Sequence, residues 1–319
     1  MKWQKLGKLF DPRDHQLVSG CVEFSQSPQA VVFPEHVRVY FSTRQLDDRG
    51  KFLSHVSFVD FDKSLNRILR VASHEVLPLG ARGTFDEHGI FPISPLRVGS
   101  RIYAYTTGWT RRVSVSTDSG IGLAISDDGG ETFVRHGQGP VLTASLHEPF
   151  LVSDGFVLQH DGQFHMWYIY GERWLRPTPD AVPDRVYKIA YALSPDGIHW
   201  TPQHIPVLDD RLGADECQAL PSVLWHDGKF HMVFCYRHAT DFRRNPSRGY
   251  RLGLASSTDM LHWHRDDGPV IAPGVLGDWD ADMQCYPNLV EIEGVPHLFY
   301  NGSEFGRFGF GAARLASLT

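Results

Sequence analysis

The stretch SDGFVLQHDGQFHMWYIYG at residues 153–171 contains two apolar strands around the tight turn HDGQ. A similar stretch, LPSVLWHDGKFHMVFCYRH, follows at residues 220–238. In both, Asp-Gly supplies residues that tolerate the positive φ angles of a two-residue hairpin turn. The alternation of apolar and polar residues in FHMWYIY favours a strand over a helix. Each stretch therefore predicts an antiparallel hairpin.

This hairpin pattern recurs along the whole sequence. Three further copies are SPQAVVFPEHVRVYFSTR (27–44), FPISPLRVGSRIYAYTTGW (91–109) and YPNLVEIEGVPHLFYNGS (286–303). The second strands of the five copies begin near Val37, Ile102, Phe164, Phe230 and Pro296, at intervals of 65, 62, 66 and 66 residues. A nearly constant period indicates a repeat architecture.

A second hairpin follows each of the three middle copies, as in IAYALSPDGIHWTPQHIPVL at residues 189–208. It consists of a strand of small residues, a turn, and an outer strand led by Phe133, Trp200 or Trp263. In the first repeat, HVSFVDFDKSLNRILRV at residues 55–71 is expected to supply the outer pair. Two hairpins per repeat make a four-stranded antiparallel unit, and five units predict an all-β, five-bladed β-propeller.

The two ends of the sequence fit a closed ring. The last repeat has only three strands, and KWQKLGKLF at residues 2–10 resembles the missing outer strand, with Trp3 at the position of Trp200 and Trp263. An N-terminal strand that completes the last blade would remove two exposed sheet edges. We expect one domain over residues 1–319. A two-sheet sandwich is the alternative, but it gives no reason for the regular period.

Composition excludes several classes of protein. The chain has 31 Lys and Arg against 37 Asp and Glu, a net charge of −6, which argues against nucleic-acid or anionic-membrane binding. The sequence has no apolar run of the length that spans a membrane, and its first residues lack an apolar h-region, so we expect neither a membrane span nor a secretory signal. The four cysteines lack any CxxC pairing, so we expect reduced thiols in the cytoplasm. Without recognisable ligand spacings or nucleotide-binding motifs, we expect neither a metal nor a cofactor.

Acidic residues precede or begin the first strand of four of the five blades. These loops should meet at the central funnel of a propeller, so the acids would come together from distant parts of the sequence. Crowded carboxylates raise some pKa values and leave other groups ionised, as acid catalysis requires. Capping of turns, or a bound cation, is the alternative. The candidates are Asp86 and Glu87 (blade 2), Asp154 (blade 3), Glu216 (blade 4) and Asp282 (blade 5), with Gln26 at the equivalent place in blade 1.

Basic and aromatic residues follow the second strands. Arginine binds carboxylate or phosphate through two parallel hydrogen bonds, so these residues predict a negatively charged substrate. That substrate would carry a phosphate or be a uronic acid or another acidic sugar, and tryptophan faces would contact a sugar ring. Alternatively, the arginines neutralise the neighbouring acids. The set is Arg44, Trp109, Arg173, Trp174, Arg237 and Arg307.

The SxDGxxW turns and YxG strand ends resemble the five-bladed propeller superfamily of glycoside hydrolase families 32, 43 and 68 and the mannoside phosphorylases of family 130. This resemblance implies that Glu216 in DECQALP is the general acid, and that Asp154 orients the substrate or tunes the acid. Families 32 and 43 also place an aspartate on the first blade, where this sequence has Gln26 and Ser27. Either Asp86 or Glu87 would then act as the base, or the mechanism differs. The related phosphorylases need only one acid together with basic residues that hold phosphate.

The sequence therefore predicts an enzyme that cleaves or transfers a glycosidic bond in an acidic or phosphorylated sugar. A phosphate-dependent phosphorylase and a non-catalytic glycan-binding propeller remain alternatives, as does a scaffold for a protein partner.

Overall fold

The computed structural model describes residues 1–176, 178–266 and 268–317, and its strands form five antiparallel sheets of four strands each. The protein begins with β1 (Lys2–Phe10) and then builds blade 1 from the axis outward. Blade 1 consists of β2 (Glu23–Val32), β3 (Val37–Leu46), β4 (Phe52–Phe61) and β5 (Ile68–Val71). The predicted five-bladed propeller is confirmed.

The remaining blades follow the same order, with the innermost strand first. Blade 2 consists of β6 (Ile90–Val98), β7 (Arg101–Arg111), β8 (Thr117–Ser126) and β9 (Val134–Arg135). Blade 3 consists of β10 (Val152–His160), β11 (Gln163–Leu175), β12 (Asp184–Ser194) and β13 (Thr201–Pro202). Blade 4 consists of β14 (Glu216–His226), β15 (Lys229–His238), β16 (Arg251–Ser257) and β17 (His264–Asp266). Blade 5 consists of β18 (Cys285–Ile292), β19 (Val295–Asn301), β20 (Phe310–Ser317) and the N-terminal β1.

The N-terminal strand closes the ring, as predicted. It pairs antiparallel with β20, and the register places Trp3 opposite Leu315 and Phe10 opposite Phe310. In the described residues, helical structure is limited to 3-10 turns of three residues each, so none of these helices could span a bilayer. The turns are Pro12–Asp14, Val18–Gly20, Pro246–Arg248 and Glu304–Gly306.

The repeated turn sequences form repeated structures. The hairpin turns have positive φ angles at Asp161 (47°) and Asp227 (50°), and also at the glycines that follow them, as predicted. In the outer turns a serine hydroxyl donates to the aspartate two residues later, for example Ser194 to Asp196 at 3.0 Å. Tyr105 of blade 2 donates to the carbonyl of Gly197 in the outer turn of blade 3, at 3.0 Å. The turn motif therefore joins neighbouring blades.

The apolar core lies between the faces of adjacent blades. The largest cluster spans blades 3, 4 and 5 and contains the fully buried Trp167, Phe234 and Tyr300. Nearer the axis, the side-chain amide of Asn288 donates to Gln29 at 3.0 Å and to Ser222 at 3.4 Å. These buried bonds join the inner strands of blades 1, 4 and 5.

A bulge in each inner strand directs side chains toward the axis. The strand pairing shifts register at this point in all five blades. In four blades the bulge includes a residue with a positive φ angle. A bulge changes which side chain faces a given direction, so it fixes what each blade presents to the funnel. The four residues are Ser27, Asp154, Leu220 and Tyr286.

Candidate active site

A cavity of about 820 Å³ occupies the funnel, and residues from all five blades line it. We call it the central cavity. Five arginines and three acids contribute its charged groups, so positive charge predominates. They are Arg44, Arg185, Arg237, Arg243 and Arg307, with Glu23, Asp154 and Glu304.

Asp154 is the buried acid of the central cavity. Its backbone φ is 58°, a left-handed conformation that aspartate tolerates better than most residues. Its N–H donates to the Thr107 hydroxyl at 2.7 Å, and its Oδ2 accepts from the Leu220 N–H at 3.3 Å. Burial raises the pKa of Asp154 to about 7, although the Leu220 N–H and the charge of Arg185 act in the opposite direction. A large fraction of this carboxyl is therefore protonated at neutral pH.

The two other cavity acids are bound to an arginine. Arg307 contacts Glu23 through two nitrogens, at 3.0 and 3.1 Å, and Glu304 at 3.2 Å. These side chains are partly exposed, so the group lies where the cavity opens to solvent. Its charges largely balance one another.

Four cavity arginines lack a close acidic partner among the described residues. Arg44 donates to Gln26 at 2.7 Å and Arg185 to the Thr117 hydroxyl at 2.7 Å. Arg243 approaches a carboxylate only at 3.8 Å, on Asp184. Burial, together with the charge of Arg243, lowers the pKa of Arg44. The fourth is Arg237.

Arg237 is the most deeply buried of these arginines, with 3% of its surface exposed. It donates to the carbonyls of His238 and Ala239 and, at 2.8 Å, to the Tyr187 hydroxyl. Its guanidinium stacks on the Phe242 ring at 3.5 Å, while its Nε has no hydrogen-bond partner among the described residues. A buried charge without a counter-charge is costly, so an anion in the cavity would stabilise this group.

Glu216, expected as the general acid, does not reach the central cavity. It is fully buried, and Arg265 on β17 donates to it at 2.6 Å. The backbone N–H groups of Arg211 and Leu212 bind its other oxygen, at 2.7 and 2.8 Å. These partners hold both carboxyl oxygens of Glu216, and the residue does not line the central cavity. That it is the general acid stays a prediction.

The acids expected as alternative bases lie elsewhere as well. Asp86 is buried in an ion pair with Arg135 on β9, at 2.7 Å. Glu87 is half-buried and accepts from the Gly83 N–H at 2.9 Å. Asp282 is exposed beside a separate cavity at the edge of blades 4 and 5. None of these three lines the central cavity.

The recurrence of acids before the inner strands has a structural cause. In blades 2, 4 and 5 the acid forms an ion pair with a cation on the outermost strand of the same blade. The pairs are Asp86–Arg135, Glu216–Arg265 and Asp280–Lys5, at 2.7, 2.6 and 2.6 Å. We call these pairs blade clasps, because each one joins the innermost and outermost strands of its sheet.

Of the basic and aromatic residues expected to bind the substrate, some line the central cavity and others lie outside it. Arg44, Trp109, Arg237, Arg307 and Gln26 line the central cavity, as expected. Arg173 and Trp174 do not line it, and their role in substrate binding stays a prediction. Arg173 is bound to Glu172 and Asp215, and Trp174 packs against the largest apolar cluster.

Sequence reasoning missed Arg185, Tyr187, Arg243 and Tyr250, which the cavity contains. Arg185 lies on β12 opposite Trp174 of β11, in a stretch that none of the predicted hairpins included. The run DFRRN at residues 241–245 was a usable signal, since it places two arginines in a loop beside the funnel. No group of three or more His, Cys, Asp or Glu side chains that could hold a metal ion occurs among the described residues.

The sequence is 34% identical to "Uncharacterized protein Rv1502" of Mycobacterium tuberculosis (strain ATCC 25618 / H37Rv) over 324 residues, which cover 99% of each of the two proteins. The protein belongs to the Rv1502 family. "Uncharacterized protein MT1551" of strain CDC 1551 matches with the same identity and coverage. A scan of protein-family models finds no match.

Solved structures share the fold of this Rv1502-family protein. A complex of BT0996 with RGII has a TM-score of 0.74 and 16% identity, and the match covers 98% of the present sequence and 92% of that structure. "Beta-1,2-Mannobiose phosphorylase from Listeria innocua", in complex with beta-1,2-mannobiose, has a TM-score of 0.70 and 12% identity, with coverage of 98% and 96%. At these identities the likeness establishes the five-bladed propeller fold alone.

Proposed function

We propose that the central cavity is the active site of an enzyme that cleaves or transfers a glycosidic bond in an anionic carbohydrate, with Asp154 as the proton donor. The observation that carries this proposal is a buried, partly protonated carboxyl in a cavity where arginines outnumber acids. Glycoside hydrolases and a mannoside phosphorylase among the structures of the same fold support a carbohydrate substrate.

Asp154 suits general-acid catalysis because its pKa of about 7 lies near neutral pH. The Leu220 N–H holds one carboxyl oxygen, which leaves the other for the substrate. In the reaction, the bond between the anomeric carbon and the leaving oxygen breaks, and that oxygen takes the Asp154 proton. An acceptor oxygen bonds to the anomeric carbon, and a water or sugar-hydroxyl acceptor releases its proton to solvent. Asp154 then regains a proton from solvent.

The arginines support a negative charge on the substrate. Among the described residues, Arg185 and Arg237 donate to hydroxyl and carbonyl oxygens and have no carboxylate within ion-pair distance, and Arg237 is buried. Bonds from guanidinium to phosphate or carboxylate are charge-assisted and therefore strong. A phosphoryl group and a uronic acid share this chemistry.

A second candidate, phosphorolysis, is favoured by the state of the remaining acids. Glu23 and Glu304 are both bound to Arg307, so neither is a free base for activating water. Inorganic phosphate held by the arginines would supply its own attacking oxygen. The products would then be a sugar phosphate and the released sugar.

The test is a screen of neutral, uronate-containing and phosphorylated glycosides, each with and without inorganic phosphate. With a substrate in hand, Asp154→Asn should lower kcat by about 10²–10⁴-fold, the usual contribution of a general acid. The matched control is Asp282→Asn, an exposed carboxylate outside the central cavity, which should retain activity. The wild-type kcat/KM should fall as the pH rises through about 7, because only protonated Asp154 donates.

Two results would overturn the proposal. One is full turnover by Asp154→Asn. The other is sugar binding by the wild type without any product after long incubation, which would indicate a glycan-binding module. A requirement for inorganic phosphate would select phosphorolysis, and turnover of uronate-containing or phosphorylated glycosides without it would select transfer to water or to another sugar.

A further inference from the structure

Blades 2 and 4 present different chemistry to the central cavity. Among the described lining residues, blade 2 contributes no charged side chain, whereas blade 4 contributes two arginines and no carboxylate. Asp154 belongs to blade 3, between them. The blade 2 residues are Phe91, Thr107, Trp109, Thr117 and Ser119, and the blade 4 residues are Arg237, Phe242, Arg243 and Tyr250.

The blade 4 side forms a cluster of positive charge. Arg237 is buried, Arg243 lies at the mouth with 66% of its side chain exposed, and Arg185 approaches from β12 of blade 3. Partial desolvation at the cavity mouth, together with the charges of Arg237 and Arg185, lowers the pKa of Arg243. Since these like charges repel one another, an anion bound between them would relieve the repulsion.

The blade 2 side offers neutral hydrogen-bonding groups and an aromatic face. The Ser119 and Ser153 hydroxyls lie 2.9 Å apart at the boundary of blades 2 and 3. The Trp109 indole N–H donates to the Ser54 hydroxyl at 3.2 Å, which fixes the edge of the ring. Hydroxyls that both donate and accept, beside an aromatic ring, suit a neutral sugar.

We propose that the central cavity binds its carbohydrate in one orientation, with a neutral sugar ring against blade 2 and a phosphoryl or carboxylate group against Arg185, Arg237 and Arg243. This inference rests on the proposed function for the site and adds the orientation of the substrate. The bond beside Asp154 then joins a neutral sugar to an anionic unit. A substrate that is neutral throughout would leave the arginines without a counter-charge.

Isothermal titration calorimetry with three ligands tests the orientation: inorganic phosphate, glucuronate and a neutral methyl hexoside. Arg243→Met should weaken binding of the preferred anion by about 10- to 100-fold, the loss of one or two charge-assisted hydrogen bonds. It should leave the affinity for the methyl hexoside unchanged. Ser119→Ala should do the reverse, with roughly 5-fold weaker binding of the methyl hexoside. The control is Arg101→Met, which removes a positive charge bound to Asp127 outside the cavity.

The anion preference narrows the source of the charge: tighter glucuronate binding indicates a carboxylate on the carbohydrate. Tighter phosphate binding indicates a phosphoryl group or inorganic phosphate as co-substrate, and the phosphate requirement in the turnover screen separates these two. Equal weakening of anion binding by Arg243→Met and Arg101→Met would overturn the proposal, because net charge alone would explain it. Weakening of all ligands by Ser119→Ala would overturn it as well, and so would the absence of anion binding to the wild type. These are binding measurements, so they are separate from whether Asp154 donates a proton.

Discussion

Asp154 and Glu216 are buried acids of adjacent blades, yet their surroundings differ. Glu216 begins β14 and accepts from a guanidinium, a side-chain amide and two backbone N–H groups. Asp154 lies two residues inside β10, at the bulge, and its carboxylate accepts from one backbone N–H. Burial alone therefore does not identify a catalytic acid. The acid that lacks a cation and faces the cavity is the one available for chemistry.

The largest loss of stability should come from removing the charge of Glu216 in its clasp with Arg265. Glu216→Gln leaves the buried Arg265 without its counter-charge, so the free energy of unfolding should fall by about 3–5 kcal/mol. Urea unfolding at pH 7 measures this. Asp215→Asn is the matched control, because Asp215 is exposed and its bond to Arg173 should contribute no more than about 1 kcal/mol. Equal unfolding midpoints for the two variants would refute the structural role of Glu216.

Replacing Asp154 should raise the free energy of unfolding rather than lower it, and the gain should be large only above acidic pH. Its pKa of about 7 in the folded protein exceeds the unfolded value of 3.8, so the folded state binds more protons between these values. Wild-type stability should therefore decline as pH rises through this window. Asp154→Asn lacks this penalty, so it should be more stable than the wild type by roughly 1–3 kcal/mol at pH 8 and by much less at pH 4.5.

Urea unfolding of both proteins at the two pH values measures the difference. Asp282→Asn serves as the control, because its carboxylate is exposed. A difference between wild type and Asp154→Asn that is the same at both pH values would show that Asp154 titrates normally, and would remove the basis for a proton donor.

The sequence sufficed for the fold because its signals are local and repeated. Asp-Gly turns, strand alternation and a regular period can each be recognised without knowing which distant residues are in contact. The site was only partly predictable, since a shift of one residue in register reverses the face of a side chain. Asp154 lies at the bulge of β10, where blade 4 has Leu220, whereas Glu216 begins β14 four residues before its bulge, and the sequence alone does not show where the bulges fall. For the same reason Arg173 was expected in the cavity, where the structure has Arg185 from the paired strand.

The smallest effect should come from the clasp that closes the ring. Lys5 on β1 contacts Asp280 at 2.6 Å, but its side chain is 29% exposed, whereas that of Arg265 is 3% exposed. Asp280 also accepts from the Tyr300 hydroxyl at 2.9 Å and from Gln284 at 3.1 Å, so it keeps two partners when Lys5 is removed. Lys5→Met should therefore lower the free energy of unfolding by only about 1–2 kcal/mol.

Lys2→Met on the same strand is the control, because Lys2 is exposed and should change stability by about 0.5 kcal/mol at most. A loss with Lys5→Met as large as that of Glu216→Gln would mean that pairing of β1, rather than burial of the ion pair, limits the stability of the ring.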